Sequence, residues 1–371
     1  MAIPLFIIAG NMMSKGRLAE KIFNTVGYFL GDKKGFLPIA TIVTCMIYGA
    51  ISGSGPATVA AVAGMMVPLL LDYGYDKTFI GALIASAGSL GMVIPPSLPL
   101  MLYGSLTNLD INSLFKISFV IGASIGLLLI IFTYIYCLKH EINNEKIIAN
   151  VKELKSKGFK AIFLDSIWAL LTPVIILGGI FTNIFNTTEA AAVSFVYAIL
   201  VCVFIYKTMT WKEVAKHIIN SFPTIAGISM LLAVASSFGQ AILKLNGPQI
   251  IGQFITSVFS TPSSFFTGVL VTFLITGMFM DGGGTLAILT PILYPIISNM
   301  GINPLIFGCT VIVIIAVGLV TPPYGLSTFV MAPLTGASVI EIGKKAIPFL
   351  LLMVIAAFIF TFVPQLTLWV L

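Results

Sequence analysis

Two halves of this chain carry glycine and proline in one register, and that repeat restricts the fold more than any other feature. Gly55 and Gly282 stand 227 positions apart (282 minus 55). The same offset relates Thr58 to Thr285, Pro68 to Pro295, Gly74 to Gly301, Gly81 to Gly308, Gly91 to Gly318, Pro95 to Pro322 and Pro96 to Pro323. Single coincidences of Gly or Pro are common, but a series without one gap is not. Glycine and proline punctuate regular structure, so the chain breaks recur at matching places in two related halves.

The segments between the breaks are apolar. Hydrophobic residues make up 58% of the chain and charged residues 9%, against roughly 25% charged in soluble domains. So few charges cannot cover a water-soluble surface, and the bilayer must be the solvent for most of the chain. At about 20 residues per crossing, the length allows about ten spans with connections. The net charge of +6 fits lysines gathered in cytoplasmic loops. No basic patch with interleaved aromatics argues for nucleic acid. Cys45, Cys137, Cys202 and Cys309 lie far apart in apolar stretches and read as small buried hydrophobes. His140 and His217 are too far from other ligand types to suggest a metal centre.

The plan of each half follows from the breaks. Residues 2–13, AIPLFIIAGNMM, read as the end of a transmembrane helix. They are too short to span and lack a basic leader, so further helices are expected upstream. The first repeat, 1–138, then holds an amphipathic arm (14–34), a re-entrant hairpin (35–71) with its tip at 53–56, a broken helix (78–106) interrupted at Pro95 and Pro96, and a span over 115–138. Residues 139–217 form a basic loop, two spans (161–181 and 189–206) and a second basic loop (207–217) on the same face. The second repeat, 218–371, holds a span, an arm (243–260), a hairpin (263–300) with its tip at 281–284, a broken helix (304–335) and a final span. From Lys33 and Lys34 to the second hairpin the chain crosses five times, an odd number, so the hairpins enter from opposite faces. The expected fold is an all-α integral membrane protein of inverted repeats, each with a re-entrant helical hairpin and a broken helix. That is the signature of secondary transporters.

Unwound backbone at membrane depth is tolerated only where it is buried in protein or lines a wet cavity. Four such breaks carry the candidate site. They are Ser52, Gly53, Ser54, Gly55, Pro56 and Thr58; Gly91, Pro95, Pro96 and Ser97; Asp281, Gly282, Gly283 and Thr285; and Gly318, Thr321, Pro322 and Pro323. Proline frees an upstream carbonyl. With Ser and Thr hydroxyls, such carbonyls suit a hard cation such as sodium, while the N-termini of half-helices suit an anion. Each feature has a plainer reading. The small hydroxyl residues permit close helix packing, Asp281 caps a helix, the glycines of 282–284 make a turn, and Glu189 complements a helix dipole. An intramembrane carboxylate is nonetheless expensive and usually functional.

The stretches AIPLFIIAGNMM (2–13), ISGSGPATVAA (51–61), GMVIPPS (91–97), TTEAAAVSFVYA (187–198), MDGGGTLAILTPILYPI (280–296) and GLVTPPYGL (318–326) together resemble the large permease subunit of tripartite ATP-independent periplasmic (TRAP) transporters. The resemblance covers essentially the whole chain. It implies an elevator-type transporter, driven by a sodium gradient and without other cofactors. It also implies two partners, a small four-helix membrane subunit and an extracytoplasmic solute-binding protein. By this likeness Ser52–Pro56 with Gly91–Ser97 would help bind one sodium. Asp281–Thr285 with Gly318–Pro323 would serve a second, and the substrate's carboxylate would sit between the tips. Implied substrates are C4-dicarboxylates, sialic acids and similar sugar or keto acids, imported across a bacterial inner membrane. The first tip departs from the pattern: GSGPAT stands where many relatives have GSAVAD, so an acidic residue is missing there. The alternative is a stand-alone sodium/carboxylate symporter or antiporter. An intramembrane enzyme, a channel and an ATP-driven importer are disfavoured, because no HExxH motif, paired acids or P-loop occurs and a channel has no use for inverted hairpins.

Overall fold

The computed structural model describes residues 2–15, 18–30, 35–139, 158–246, 261–280, 282–300 and 302–371. Among these the regular structure is helical, with no strand. The short helix α1 (Ala2–Lys15) is followed by the amphipathic α2 (Leu18–Leu30). The first hairpin is α3 (Phe36–Ser52) and α4 (Gly55–Asp72). The first broken helix is α5 (Lys77–Ser89), which tightens to a 3₁₀ turn over Leu90–Met92, and α6 (Leu98–Thr107). Then come α7 (Ile111–Lys139), α8 (Phe159–Phe181), α9 (Thr187–Ile199) with a π-helical extension over Leu200–Ile205, and α10 (Trp211–Lys244). The second hairpin is α11 (Pro262–Gly277) and α12 (Gly282–Asn299), and the second broken helix is α13 (Pro304–Gly318) and α14 (Leu326–Thr335). The chain closes with α15 (Val339–Phe362) and the single turn α16 (Gln365–Leu368). The element order α3 to α7 therefore recurs as α11 to α15.

Burial follows composition. A helix apolar on every face must be buried on every face or lie in lipid. In α5 every residue from Phe79 to Ser89 is buried, and in α13 every residue from Ile306 to Gly318. These two repeat-related half-helices form the centre of the molecule. They are tied by Tyr103 of α6, whose ring lies over Gly308 and whose hydroxyl donates to the Pro304 carbonyl at 2.9 Å. The peripheral helices instead keep large apolar side chains outside, such as Leu127, Leu164, Val174, Val196 and Ile359. In water such a surface would aggregate, but in lipid it is the required one. The four cysteines are all buried.

The spans differ from the sequence expectation in instructive ways. Six helices among the described residues are long and apolar enough to cross a membrane, fewer than the ten expected. The remaining apolar segments are half-helices, which no count of hydrophobic residues separates from full spans. The first-hairpin arm α4, read as part of a re-entrant hairpin, reaches 18 residues and is itself long and apolar enough to cross. The second basic loop is shorter than read. α10 starts at Trp211 because Thr210 and Glu213 cap each other: Glu213 accepts from the Thr210 amide at 2.8 Å, and its own amide donates to the Thr210 hydroxyl at 3.4 Å. Glu189 makes the same kind of box with Asn186, so helix capping accounts for it. Most of the arm at 243–260 and of the basic loop at 139–160 lies outside the described residues, as do His140, Lys33, Lys34 and Gly301.

Candidate functional site

At the first hairpin tip the chain reverses through Gly53, whose φ of 62° is left-handed and suits glycine. Its amide donates to the Gly49 carbonyl at 2.8 Å, closing α3. Ser54 is extended and starts α4. Three hydroxyl and carbonyl groups then converge. The Thr58 hydroxyl donates to the Ser54 carbonyl at 2.8 Å and lies 2.7 Å from the Ser52 hydroxyl. The Ser54 amide donates to the Ser52 hydroxyl at 3.3 Å.

This cluster is pressed against the first broken helix. A Cβ on Gly91 would lie 2.4 Å from the Thr58 hydroxyl and 3.1 Å from the Ser54 carbonyl. A Cβ on Gly49 would lie 2.6 Å from Gly91 Cα, and one on Gly53 would lie 2.8 Å from the Pro96 carbonyl. The Leu98 amide donates to the Gly53 carbonyl at 3.1 Å. Ser97 is fully buried. Its hydroxyl donates to the Met92 carbonyl at 2.5 Å and accepts weakly from the Leu100 amide, so it caps α6. Pro95 and Pro96 are buried and joined by a cis bond. The predicted first group is thus brought together: Ser52, Gly53, Ser54, Thr58, Gly91 and the Pro96 carbonyl.

The second tip repeats the docking with a one-residue shift in its first arm. A Cβ on Gly318 would lie 2.7 Å from the Gly277 carbonyl carbon, the counterpart of the Gly49–Gly91 contact. The Tyr324 amide donates to the Met278 carbonyl at 3.3 Å. Thr285 is buried, and the Thr321 hydroxyl donates to the Val317 carbonyl at 2.8 Å. The Pro322 ring packs on Gly343 of α15 and supports the break from behind, whereas Pro323 is exposed. Pro322 and Pro323 are also joined by a cis bond. Asp281 lies outside the described residues.

The tips meet across one cavity of about 570 Å³. Its wall contains Gly53, Ser54, Gly55 and Pro56 from the first tip and Gly282 and Gly283 from the second. Met92, Leu98, Pro99 and Leu319 come from the breaks, with Leu102 and Leu326 beside them. A Cβ on Gly282 would lie 2.9 Å from the Met92 methyl, so the second tip touches the first break. Four helices, α4, α6, α12 and α14, direct their first turns at this space. Helix N-termini carry partial positive charge and attract anions, although in α6 the Leu98 and Leu100 amides are taken by the Gly53 carbonyl and the Ser97 hydroxyl and in α14 the Ser327 amide by the Leu319 carbonyl. Gly53, Met92 and Leu319, at the ends of α3, of the 3₁₀ turn after α5 and of α13, reach the same space, and their carbonyls each already accept one bond, from the Leu98 amide, the Ser97 hydroxyl and the Ser327 amide. Among the described residues the wall has no ionisable side chain. These described residues offer backbone dipoles and hydroxyls, which suit a small anion beside a monovalent cation.

Sequence reasoning missed one wall. Thr224, Gly227 and Ile228 of α10 also line the cavity. The available signal was Pro223 followed by small residues within a span, TIAG.

Comparison with known proteins agrees with this architecture. The family described as "Tripartite ATP-independent periplasmic transporter, DctM component" matches residues 1–366. The chain belongs to that family. It is 35% identical over 364 residues to the isethionate TRAP transporter permease protein DctMQ of Oleidesulfovibrio alaskensis, covering 98% of this chain and 56% of that one. It is 33% identical over 374 residues to the C4-dicarboxylate TRAP transporter large permease protein DctM of Pseudomonas aeruginosa (99% and 85%). The ectoine TRAP transporter large permease protein TeaC of Halomonas elongata is 31% identical over 368 residues (99% and 85%). The chain thus spans about half the length of the first relative and most of the other two. As a TRAP large permease it is a multi-pass membrane transport protein. The paired hairpins and broken helices foreseen from the 227-residue offset are the parts that build its cavity.

Proposed function

We propose that this TRAP large permease is the membrane-spanning transport subunit of a sodium-coupled importer of a small organic anion. The observation that supports this best is the convergence of four helix N-termini on one cavity whose described wall residues carry no charge, beside a cluster of hydroxyls and carbonyls. The dipoles of these N-termini hold the anion, and Ser52, Ser54, Thr58 and Gly91 contribute oxygens to one sodium site. Asp281, Thr285 and the Gly318–Pro323 break contribute to a second. The two hairpins and broken helices move as an elevator against α1, α2 and α8 to α10. In this reading an extracytoplasmic binding protein delivers the substrate, a small four-helix subunit completes the membrane part, and the complex lies in the inner membrane. Relatives named for isethionate, C4-dicarboxylates and ectoine favour a compact ligand, with a C4-dicarboxylate or sialic acid as first candidates.

The test is uptake into proteoliposomes that hold the permease with its small subunit. A binding protein loaded with labelled C4-dicarboxylate or sialic acid is added, with and without an inward sodium gradient. Uptake that needs both sodium and the binding protein is the expected result. Uptake with sodium alone would instead establish a stand-alone symporter. Uptake indifferent to sodium would overturn the coupling.

A further inference from the structure

A second cavity, of about 540 Å³, lies next to the first along the same two helices. The deep cavity takes Leu98, Pro99 and Leu102 from α6 and Thr224, Gly227 and Ile228 from α10. The second takes Met101 and Ser105 from α6 and Ile228, Ser229 and Leu232 from α10, and is closed by the start of α1 and the first turn of α9. Among the described residues Ile228 is the one that lines both. From Leu98 to Ser105 α6 advances about 10 Å at 1.5 Å per residue, so the cavities are offset by roughly one or two helical turns. Beside Ile228 the helix leaves room: a Cβ on Gly227 would meet nothing within 4 Å. Two of the hydroxyls around the second cavity are committed to structure, that of Ser105 donating to the Met101 carbonyl at 2.7 Å. Thr187 donates to the Asn112 side chain at 2.9 Å, and Asn186 caps α9.

We propose that Ile228 is a fixed apolar partition between the two cavities, and that its side-chain volume sets which solutes pass between the tip site and the second cavity. The significance of this partition rests on the transport reading above. A branched apolar side chain suits the role because an anion crossing it must shed water without gaining a partner. A polar residue there would hold water and join the two spaces.

The test is cysteine accessibility in sealed membrane vesicles of both orientations. The native cysteines are buried, which keeps background labelling low. Leu98→Cys reports on the deep cavity and Ser105→Cys on the second. The probe is 2-sulfonatoethyl methanethiosulfonate, a small membrane-impermeant anion. From the face that labels Ser105→Cys, Leu98→Cys should react slowly while Ile228 is present and at least tenfold faster with Ile228→Ala. Ile228→Val should fall between, and Gly227→Leu in the Ile228→Ala background should restore slow labelling. An unchanged Ser105→Cys rate across these backgrounds reports an intact fold. Equal labelling of Leu98→Cys whichever residue stands at 228 would overturn the proposal, as would loss of the graded order. Labelling needs no sodium, substrate or binding protein, so failed uptake and a failed partition give separate results.

Discussion

Thr58 combines a structural and a functional reason at one position. Its hydroxyl satisfies the Ser54 carbonyl and meets the Ser52 hydroxyl, while its place beside Gly91 puts those oxygens at the first break. Thr58→Val keeps the volume and removes the hydroxyl. Losing one partner of a buried hydrogen bond costs about 1–3 kcal/mol, so thermal unfolding in detergent should shift modestly. The sodium concentration for half-maximal uptake should rise severalfold, and an unchanged midpoint would confine Thr58 to tip packing. Asp281→Ala is argued from sequence alone, because a carboxylate at a membrane-depth tip is expensive unless used. It should weaken sodium activation of uptake more than membrane insertion, measured as protein recovered in the membrane fraction. Unchanged sodium activation would remove Asp281 from the site.

At the scale of elements, the hairpins dock on the broken helices through glycine against glycine. Gly49 meets Gly91 and Gly277 meets Gly318, at distances where a Cβ would reach 2.6–2.7 Å from backbone. Backbone cannot yield as a flexible side chain can, and overpacking of this kind costs about 1–3 kcal/mol. Gly49→Ala should therefore lower the thermal midpoint and expose the first tip to proteolysis. Gly64, on the same hairpin, has nothing within 4 Å of its would-be Cβ. Gly64→Ala should be neutral or stabilising by up to about 1 kcal/mol, from helix propensity. Equal losses in both variants would mean that the tips are not held by close backbone approach. The arm α2 is anchored differently: Lys21 pairs with Asp165 at 2.5 Å, and its carbonyl accepts from the Ser166 hydroxyl at 2.7 Å. The ion pair is partly exposed, so it contributes about 1 kcal/mol at most.

Across the whole molecule, the two repeats share a buried polar contact. The Ser89 and Ser327 hydroxyls lie 3.0 Å apart at the centre, joining α5 of one half to α14 of the other. The tips face the same cavity, with α10 as one of its walls. If the hairpins travel past α10 during transport, a covalent tie across the cavity should stop them. Thr224→Cys together with Gly283→Cys, bridged by a bifunctional thiol reagent, should abolish uptake, and reductive release should restore it. Either single variant treated alike should retain more uptake than the bridged pair. Transport by the bridged protein would show that the hairpin does not need to move relative to α10.

The sequence by itself determined the solvent, the helical class, the repeat and the four breaks, because these rest on composition and on Gly and Pro, whose backbone limits hold in any surroundings. It marked Ser52 to Thr58 and Gly91 to Ser97 as breaks because their Gly and Pro register repeats in the second half, whereas their grouping into one site was implied by the family resemblance. Tertiary structure alone decided which breaks touch, that Pro322 supports α15 rather than the cavity, and that Thr224, Gly227 and Ile228 close it. It also decided that α5 and α13 are central while equally apolar helices face outward. The physical reason is that bilayer and protein interior are nearly equal solvents for an apolar side chain. Hydrophobicity therefore cannot tell a buried half-helix from a lipid-facing span, and only the packing of one helix on another makes that distinction.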